Sequence, residues 1–277
     1  MPNINEAYKY CEKIIANNSR TFYNAFSLLP EKDRNAVWAV YSFCRTVDDI
    51  VDEGMNPQKE LKKFQLEFEQ FLIGRYDENN LMWVALHDVF NKYTMDVEAF
   101  RGLLKGQGMD LVKNRYETAG ELIHYCYYVA STVGLILLPI LAPNEKIRLR
   151  DGAISLGIAM QLTNILRDVG EDLKRNRIYI PQEMMRYYSV SEEQLFIGKV
   201  NNNFIQLWED IASEAEKHYK KTIETLHLYP IDSRLPVKGA LYLYHEILST
   251  IRTNNYSVFN QKNYVSDEWK RVILSNI

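Results

Sequence analysis

The chain has 277 residues, 47% hydrophobic and 25% charged, with a formal net charge of −3. That balance supports a packed core, and without a Lys/Arg block it excludes the basic face that a nucleic-acid partner requires. Twelve Gly and eight Pro are too few turn formers for a sheet-rich fold, so an all-α protein is expected.

Residues 1–10 carry Asn, Glu and Lys and no apolar stretch of the kind a signal peptide needs. Asp33, shortly after Pro30, marks a helix start. Val37, Val40, Tyr41, Cys44, Val47 and Val51 recur at three- and four-residue steps, as one wide helix face does. After a turn at Gly54-Met55-Asn56-Pro57, Leu61, Phe64, Phe68 and Phe71 repeat the pattern. The longest apolar run, residues 133–143, falls short of the roughly 20 residues needed to cross a bilayer and is interrupted by Pro139, so it reads as a buried core helix. Ala142-Pro143-Asn144 reads as a turn. Residues 154–169 are apolar on several sides, through Ile154, Leu156, Ile158, Ala159, Met160, Leu162, Ile165 and Leu166, which marks a buried helix. Phe204, Leu207, Trp208, Ile211 and Ala215 form a further amphipathic face, followed by a turn at Tyr229-Pro230-Ile231-Asp232. No linker or shift in composition divides the chain, so residues 1–277 are expected to form a single all-helical domain of ten or more helices. Cys11, Cys44 and Cys126 are spaced too widely for a metal knuckle or a disulfide framework, and reduced, buried thiols in a cytoplasmic protein are expected. His87, His124, His218, His227 and His245 show no paired ligand spacing.

The helix over 154–169 also carries Gln161, Asn164, Arg167 and Asp168. Buried polar groups cost on the order of several kcal/mol unless paired, so these need a polar object inside the protein. Tyr41, Arg45, Asp48 and Asp52 fall on one helical stripe, and Gln161, Asn164, Asp168 and Asp172 on another. Stacked carboxylates repel and require a cation, and an oxygen-only set of Asp and Asn suits the hard ion Mg²⁺. Two such stripes facing across a cavity would hold a diphosphate through bridging ions, with Arg45 and Arg167 adding charge-assisted contacts to its oxygens. One acid cluster alone is ordinarily a solvated face; the matching second cluster, inside a near-apolar helix, makes the pair a site. An EF-hand is a poor rival, because its loop with a central Gly is missing. Asp49 and Glu53 lie off the stripe and are expected in solvent. Asp110 and Glu117 fit equally well as surface acids or as groups supporting the site.

Through Asp48-Asp49-Ile50-Val51-Asp52 and Asn164-Ile165-Leu166-Arg167-Asp168-Val169-Gly170-Glu171-Asp172, the chain resembles the squalene/phytoene synthase family. Arg20-Thr21-Phe22, Gly108-Met109-Asp110-Leu111, Tyr125-Cys126-Tyr127-Tyr128-Val129-Ala130 and Arg177-Ile178-Tyr179-Ile180-Pro181 extend the likeness to nearly the whole chain. Within the family it is most similar to the bacterial dehydrosqualene synthases. The resemblance implies an isoprenoid-synthase helical bundle around a central cavity, with several Mg²⁺ ions held by Asp48, Asp52, Asn164 and Asp168. It implies diphosphate and substrate contacts from Asn18, Ser19, Arg20, Thr21, Tyr41, Arg45, Gln161, Arg167 and Tyr244. Asp172 is expected as a further acid at the magnesium site, beside the catalytic Tyr41, Arg45, Asp48, Asp52 and Asp168. Two departures stand out. Asn18 stands where close relatives often have a basic residue. Ser131 stands where the family usually has Gly, and is expected to narrow the cavity or bend the helix.

The implied reaction condenses two farnesyl diphosphates head to head, through presqualene diphosphate, to dehydrosqualene, the first step of thirty-carbon carotenoid synthesis. Water would quench its cations, so an apolar tunnel is required. Phe22, Phe26, Val129, Ala130, Val133, Leu137 and Leu156 are candidates for its wall, and Tyr125 for the cavity lining; plain core packing fits the same residues. Phe26 and Trp38 are placed to cap a fifteen-carbon tail. No GxGxxG follows a strand and no NADPH is expected. The alternatives are phytoene synthase on longer chains, squalene synthase with a hydride donor, or, in another class, a non-catalytic assembly factor, which should have lost its acids. Farnesyl diphosphate is the expected partner. A cytoplasmic location with transient contact at a membrane surface during product release is also expected.

Overall fold

The computed structural model describes residues 3–276. The helices in chain order are α1 (Ile4–Asn18), α2 (Arg20–Phe26), α3 (Glu31–Glu53), α4 (Pro57–Leu72), α5 (Leu81–Lys92), α6 (Val97–Met109), α7 (Ala119–Cys126), α8 (Thr132–Leu141), α9 (Lys146–Arg167), α10 (Val169–Lys174), α11 (Gln182–Tyr187), α12 (Glu192–Ile197), α13 (Asn202–Ile223), α14 (Ile231–Thr253) and α15 (Asp267–Ser275). A π-helical segment, Tyr127–Ser131, joins α7 to α8, and a 3-10 turn, Leu226–Leu228, precedes α14. Among the described residues the only β pairing is an isolated bridge between Arg115 and Ile178. The all-α expectation is met.

Two long helices organise the bundle. α3 packs against α1, α4, α5, α6 and α8; α9 packs against α7, α8, α13, α14 and the π-helical segment. α3 begins at Pro30, with Glu31 and Asp33 in its first turn, where acids complement the helix dipole. Asp33 is further fixed by Tyr93, whose hydroxyl donates to it at 2.5 Å. The periodic face read in the sequence is the buried one: Val37, Val40, Val47 and Val51 are core residues. Phe43 sits in an aromatic cluster with Phe64, Phe68, Trp83 and Phe100, at centroid separations of 5.1–5.9 Å. Such rings bury large apolar areas and hold the first half of the chain together. On the far side of α9, Thr163 and Tyr219 share a buried hydrogen bond of 2.9 Å, and the Trp208 indole donates to the Leu166 carbonyl at 3.1 Å. That last bond satisfies a carbonyl left open at the C-terminal end of α9.

The apolar run differs from its sequence reading. Pro139 lies inside α8 rather than ending it, and the π-helical segment continues the helix upstream. The resulting run, Ala119–Leu141, has 23 residues and a mean hydropathy of 1.5, enough in length and composition to cross a membrane. Half of it is buried against the rest of the bundle, in keeping with a core helix. Cys11 and Cys126 are buried as expected, Cys44 is half-buried, and all three thiols are free.

Candidate active site

The first acid cluster occupies the last two turns of α3, and the second straddles the end of α9. Acids at a helix C-terminus oppose the helix dipole, and the last turn of α3 carries no basic residue to offset them. The fold thus places carboxylates at two helix ends that already bear partial negative charge. The second stripe is kinked rather than straight. Asp168 caps α9 with φ −103° and ψ 16°, and Asp172 belongs to the separate helix α10. Backbone bonds Asp168 N to Asn164 O and Asp172 N to Asp168 O, both 2.9 Å, keep the acids stacked through the kink. Gly170 follows because α10 presses on the Phe259 backbone: a side chain there would collide with the Phe259 carbonyl, and the Gly170 amide donates to Val258 O at 3.0 Å.

Both clusters line one chamber of about 550 Å³. Its wall contains Asn18, Ser19, Phe22, Tyr41, Arg45, Asp48, Asp52, Tyr125, Val129, Gln161, Asn164, Arg167, Asp168, Asp172 and Tyr244, so most of the residues read from the sequence meet here. Arg20 and Thr21 do not. They line a neighbouring chamber of about 390 Å³ that shares Asn18, Ser19, Arg167, Tyr244 and Lys262 with the first. An apolar tunnel of about 210 Å³ opens from the acid chamber, the two sharing Phe22, Val129, Gln161, Asn164 and Tyr244. Phe26, Ala130, Val133, Leu137 and Leu156 line it, as expected. Trp38 does not; it is buried behind the wall, stacked on Tyr23 at 5.8 Å and covered by Arg34. Ser131 neither narrows the tunnel nor lines it. Its hydroxyl turns to the Ile154 carbonyl at 2.7 Å, and α9 approaches its backbone so closely that only glycine fits at Gly157. At Asn18 the side-chain amide donates to Ile14 O at 2.8 Å, so its donor serves α1.

Seven carboxylates line the acid chamber (Asp48, Asp52, Glu53, Asp110, Asp168, Glu171, Asp172) against five cations (Arg45, Arg167, Arg175, Arg177, Lys262), so negative charge is in excess. Arg45 pairs with Asp48 at 3.1 Å and also with Asp49, which is less solvated than the sequence suggested. Arg167 pairs with Asp168 at 2.5 Å, and Lys262 spans Asp168 at 3.3 Å and Glu171 at 3.0 Å. Asp52 is held by Arg177 at 2.8 Å and by Arg175. Asp172 has no ion-pair partner among the described residues. Burial, then Asp168, push its carboxyl up to about 8, while burial and the adjacent Asp52 push Asp48 up to about 6. Asn164 donates from Nδ2 to Gln161 Oε1 at 3.3 Å, which leaves its Oδ1 buried without a partner. An orphan oxygen among surplus carboxylates is the environment a hard divalent cation satisfies. No three acids converge on one point among the described residues. An ion here would take one or two carboxylates, water and phosphate oxygens, as Mg²⁺ does.

Gln107, Arg175 and Lys262 line the chamber without having been singled out from the sequence, and Arg177 and Tyr179, named there only within a family motif, brace it. Asp110 resolves in favour of the site, accepting from Tyr125 at 2.8 Å and Tyr179 at 2.9 Å, with its pKa raised by burial. Glu117 is a surface acid paired with Arg186 at 2.5 Å.

Comparison with known proteins agrees with this geometry. The 15-cis-phytoene synthase of Synechococcus elongatus is 37% identical over 98% of this chain and 92% of its own length. The phytoene synthase of Arthrospira platensis is 38% identical over 97% and 91%. A crystal structure of a dehydrosqualene synthase in complex with ligand superposes with a TM-score of 0.94 and 38% identity, covering 99% of this chain and 95% of that one. YisP of Bacillus subtilis superposes with a TM-score of 0.82 and 32% identity, covering 98% and 96%. The squalene/phytoene synthase family model matches residues 15–269, and with two acid-bearing helix ends flanking one chamber above an apolar tunnel, the chain belongs to that family.

Proposed function

We propose that the protein is a Mg²⁺-dependent prenyltransferase that condenses two farnesyl diphosphates to dehydrosqualene through presqualene diphosphate. The observation that carries this reading is the continuity of an acid chamber with an apolar tunnel, through residues that belong to both walls. Asp48, Asp52, Asn164, Asp168 and Asp172 would hold the ions, which supply positive charge to a departing diphosphate.

The chain's own residues divide the remaining work. Arg45 and Arg167 lie in the chamber wall beside the acids, where their guanidinium groups offer forked donors to diphosphate oxygens. As the C–O bond of the first farnesyl unit breaks, its electron pair leaves with diphosphate. The C2–C3 π electrons of the second unit then bond to the freed carbon, and loss of a proton closes the cyclopropane. Loss of the second diphosphate, rearrangement and loss of a second proton give the linear product, so no reductant enters the balance. Phe22, Phe26, Val129, Val133, Leu137 and Leu156 would keep water from both cations. Asp110 fixes the Tyr125 and Tyr179 hydroxyls in the wall of the acid chamber.

A second reading, phytoene synthase, is favoured by the names of the relatives above. Purified protein given Mg²⁺ with farnesyl or geranylgeranyl diphosphate, and the products separated by chain length, decides between them. Preference for geranylgeranyl diphosphate overturns the shorter-chain assignment, and turnover of neither points to a non-catalytic assembly factor.

A further inference from the structure

α9 carries one stripe of side chains through three environments. Asn164 and Asp168 line the acid chamber, and Ala153, Gly157 and Met160 line the tunnel. Lys146 and Arg150, on the same stripe, line a surface groove of about 290 Å³ beyond the tunnel's far end. α8 is the partition: Val133, Gly134 and Leu137 face the tunnel, while Leu135, Leu138 and Pro139 face the groove. Pro139 has no N–H to offer the Leu135 carbonyl, so the partition lacks a helical bond at that turn.

The surface around the groove is apolar and basic together. Ile147, in the groove, is 85% exposed. Residues 145–151 hold three cations and two acids, Glu145 and the exposed Asp151. Glu145 engages Arg148 at 2.9 Å, whereas Lys146 and Arg150 make no ion pair among the described residues. The one acid in the groove, Asp96, accepts from the Ala99 amide at 3.1 Å as the cap of α6.

We propose that this groove docks the protein on an anionic lipid bilayer, with Ile147 entering the apolar boundary and Lys146 and Arg150 meeting the headgroups. An exposed aliphatic side chain flanked by unpaired cations is the pattern of an interfacial anchor. The consequence for turnover rests on the reading above. A hydrocarbon product made in the tunnel has its acid chamber and water at one end, and at the other a thin partition backed by lipid.

The test is flotation of the purified protein with vesicles of phosphatidylcholine, with and without phosphatidylglycerol. Binding to the anionic vesicles is expected, falling with added salt. Lys146→Gln and Arg150→Gln should each weaken it about fivefold, and Ile147→Asp should abolish it. These variants should keep the melting temperature and the turnover of detergent-dispersed substrate. On vesicles, Ile147→Asp should retain product with the protein that the wild type passes to lipid. Absence of flotation, equal binding to uncharged vesicles, or equal binding by Ile147→Asp overturns the proposal. Flotation is read without substrate, so failure of the enzymatic reading shows separately as absent turnover.

Discussion

Asp52 accepts a hydrogen bond at 2.8 Å from Arg177, 125 residues further along the chain, and this contact fastens the end of α3 to the segment that follows α10. Arg177 is 13% exposed, whereas Arg175, the second partner of Asp52, is 40% exposed. Removing the enclosed partner leaves Asp52 only the exposed Arg175 and takes away the positive charge that acts on buried Asp110; removing the exposed one leaves Arg177 in place. Arg177→Ala should therefore cost about 2–3 kcal/mol of stability and Arg175→Ala less than about 1 kcal/mol, measured by chemical denaturation. Equal losses would show that the brace is shared.

Asn164 Oδ1 has no protein partner, so its removal should spare the fold while weakening ion binding. Asn164→Ala should lower the apparent Mg²⁺ affinity at least about tenfold, read as Mg²⁺-dependent thermal stabilisation by inorganic pyrophosphate. Chelation of the metal should abolish that stabilisation in the wild type. An unchanged Mg²⁺ titration in the variant would remove Asn164 from the ion site.

Phe26 is 6% exposed, lines the tunnel and stacks on Phe22 at 6.0 Å. Phe26→Ala should cost about 3 kcal/mol, because a large ring leaves a cavity. The same cavity lengthens the space open to a prenyl tail. Turnover of geranylgeranyl relative to farnesyl diphosphate should rise by about tenfold, read from the chain length of the products. Lost stability with unchanged selectivity would make Phe26 a core residue only.

Asp172 contributes a pH dependence of known sign. Its folded pKa of about 8 lies above the ordinary carboxylate value of 3.8, so the folded state binds the extra proton between those limits. Stability from this group is greatest at low pH and declines as pH rises through the window. In chelator-containing buffer, Asp172→Asn should flatten that decline and melt higher than wild type at pH near 8, while losing turnover. A variant that melts lower across the window would contradict the charge argument.

Local periodicity accounts for what the sequence disclosed. The i, i+4 spacing of Asp48 with Asp52 and of Asn164 with Asp168 places each pair on a single face without any tertiary knowledge. The kink at Asp168 was hidden because Gly170 is called for by the Phe259 backbone, which arrives from nearly 90 residues away. Arg175 and Lys262 were passed over, and Arg177 was given no role of its own, for the same reason: each reads as a surface cation until a distant acid is brought to it. Trp38 lies one turn before Tyr41 on the same helix, yet its ring packs on Tyr23 of α2 and does not line the tunnel. Ser131 does not narrow the cavity because its hydroxyl turns onto α9, and the segment it ends is π-helical, in line with the altered helix that was the other expectation.

From Ala153 at the tunnel's far end to Asp168 at the acids, α9 advances about 22 Å at 1.5 Å per residue. On the proposed reading that rod is a ruler for the prenyl tail, and its graduations cannot be shifted one at a time. An insertion of one residue would swing every later side chain by about 100° and carry Asn164 and Asp168 away from the acids of α3. New chain-length preferences are therefore reachable by trading bulk for space at individual rungs, and closed to changes in the length of the rod.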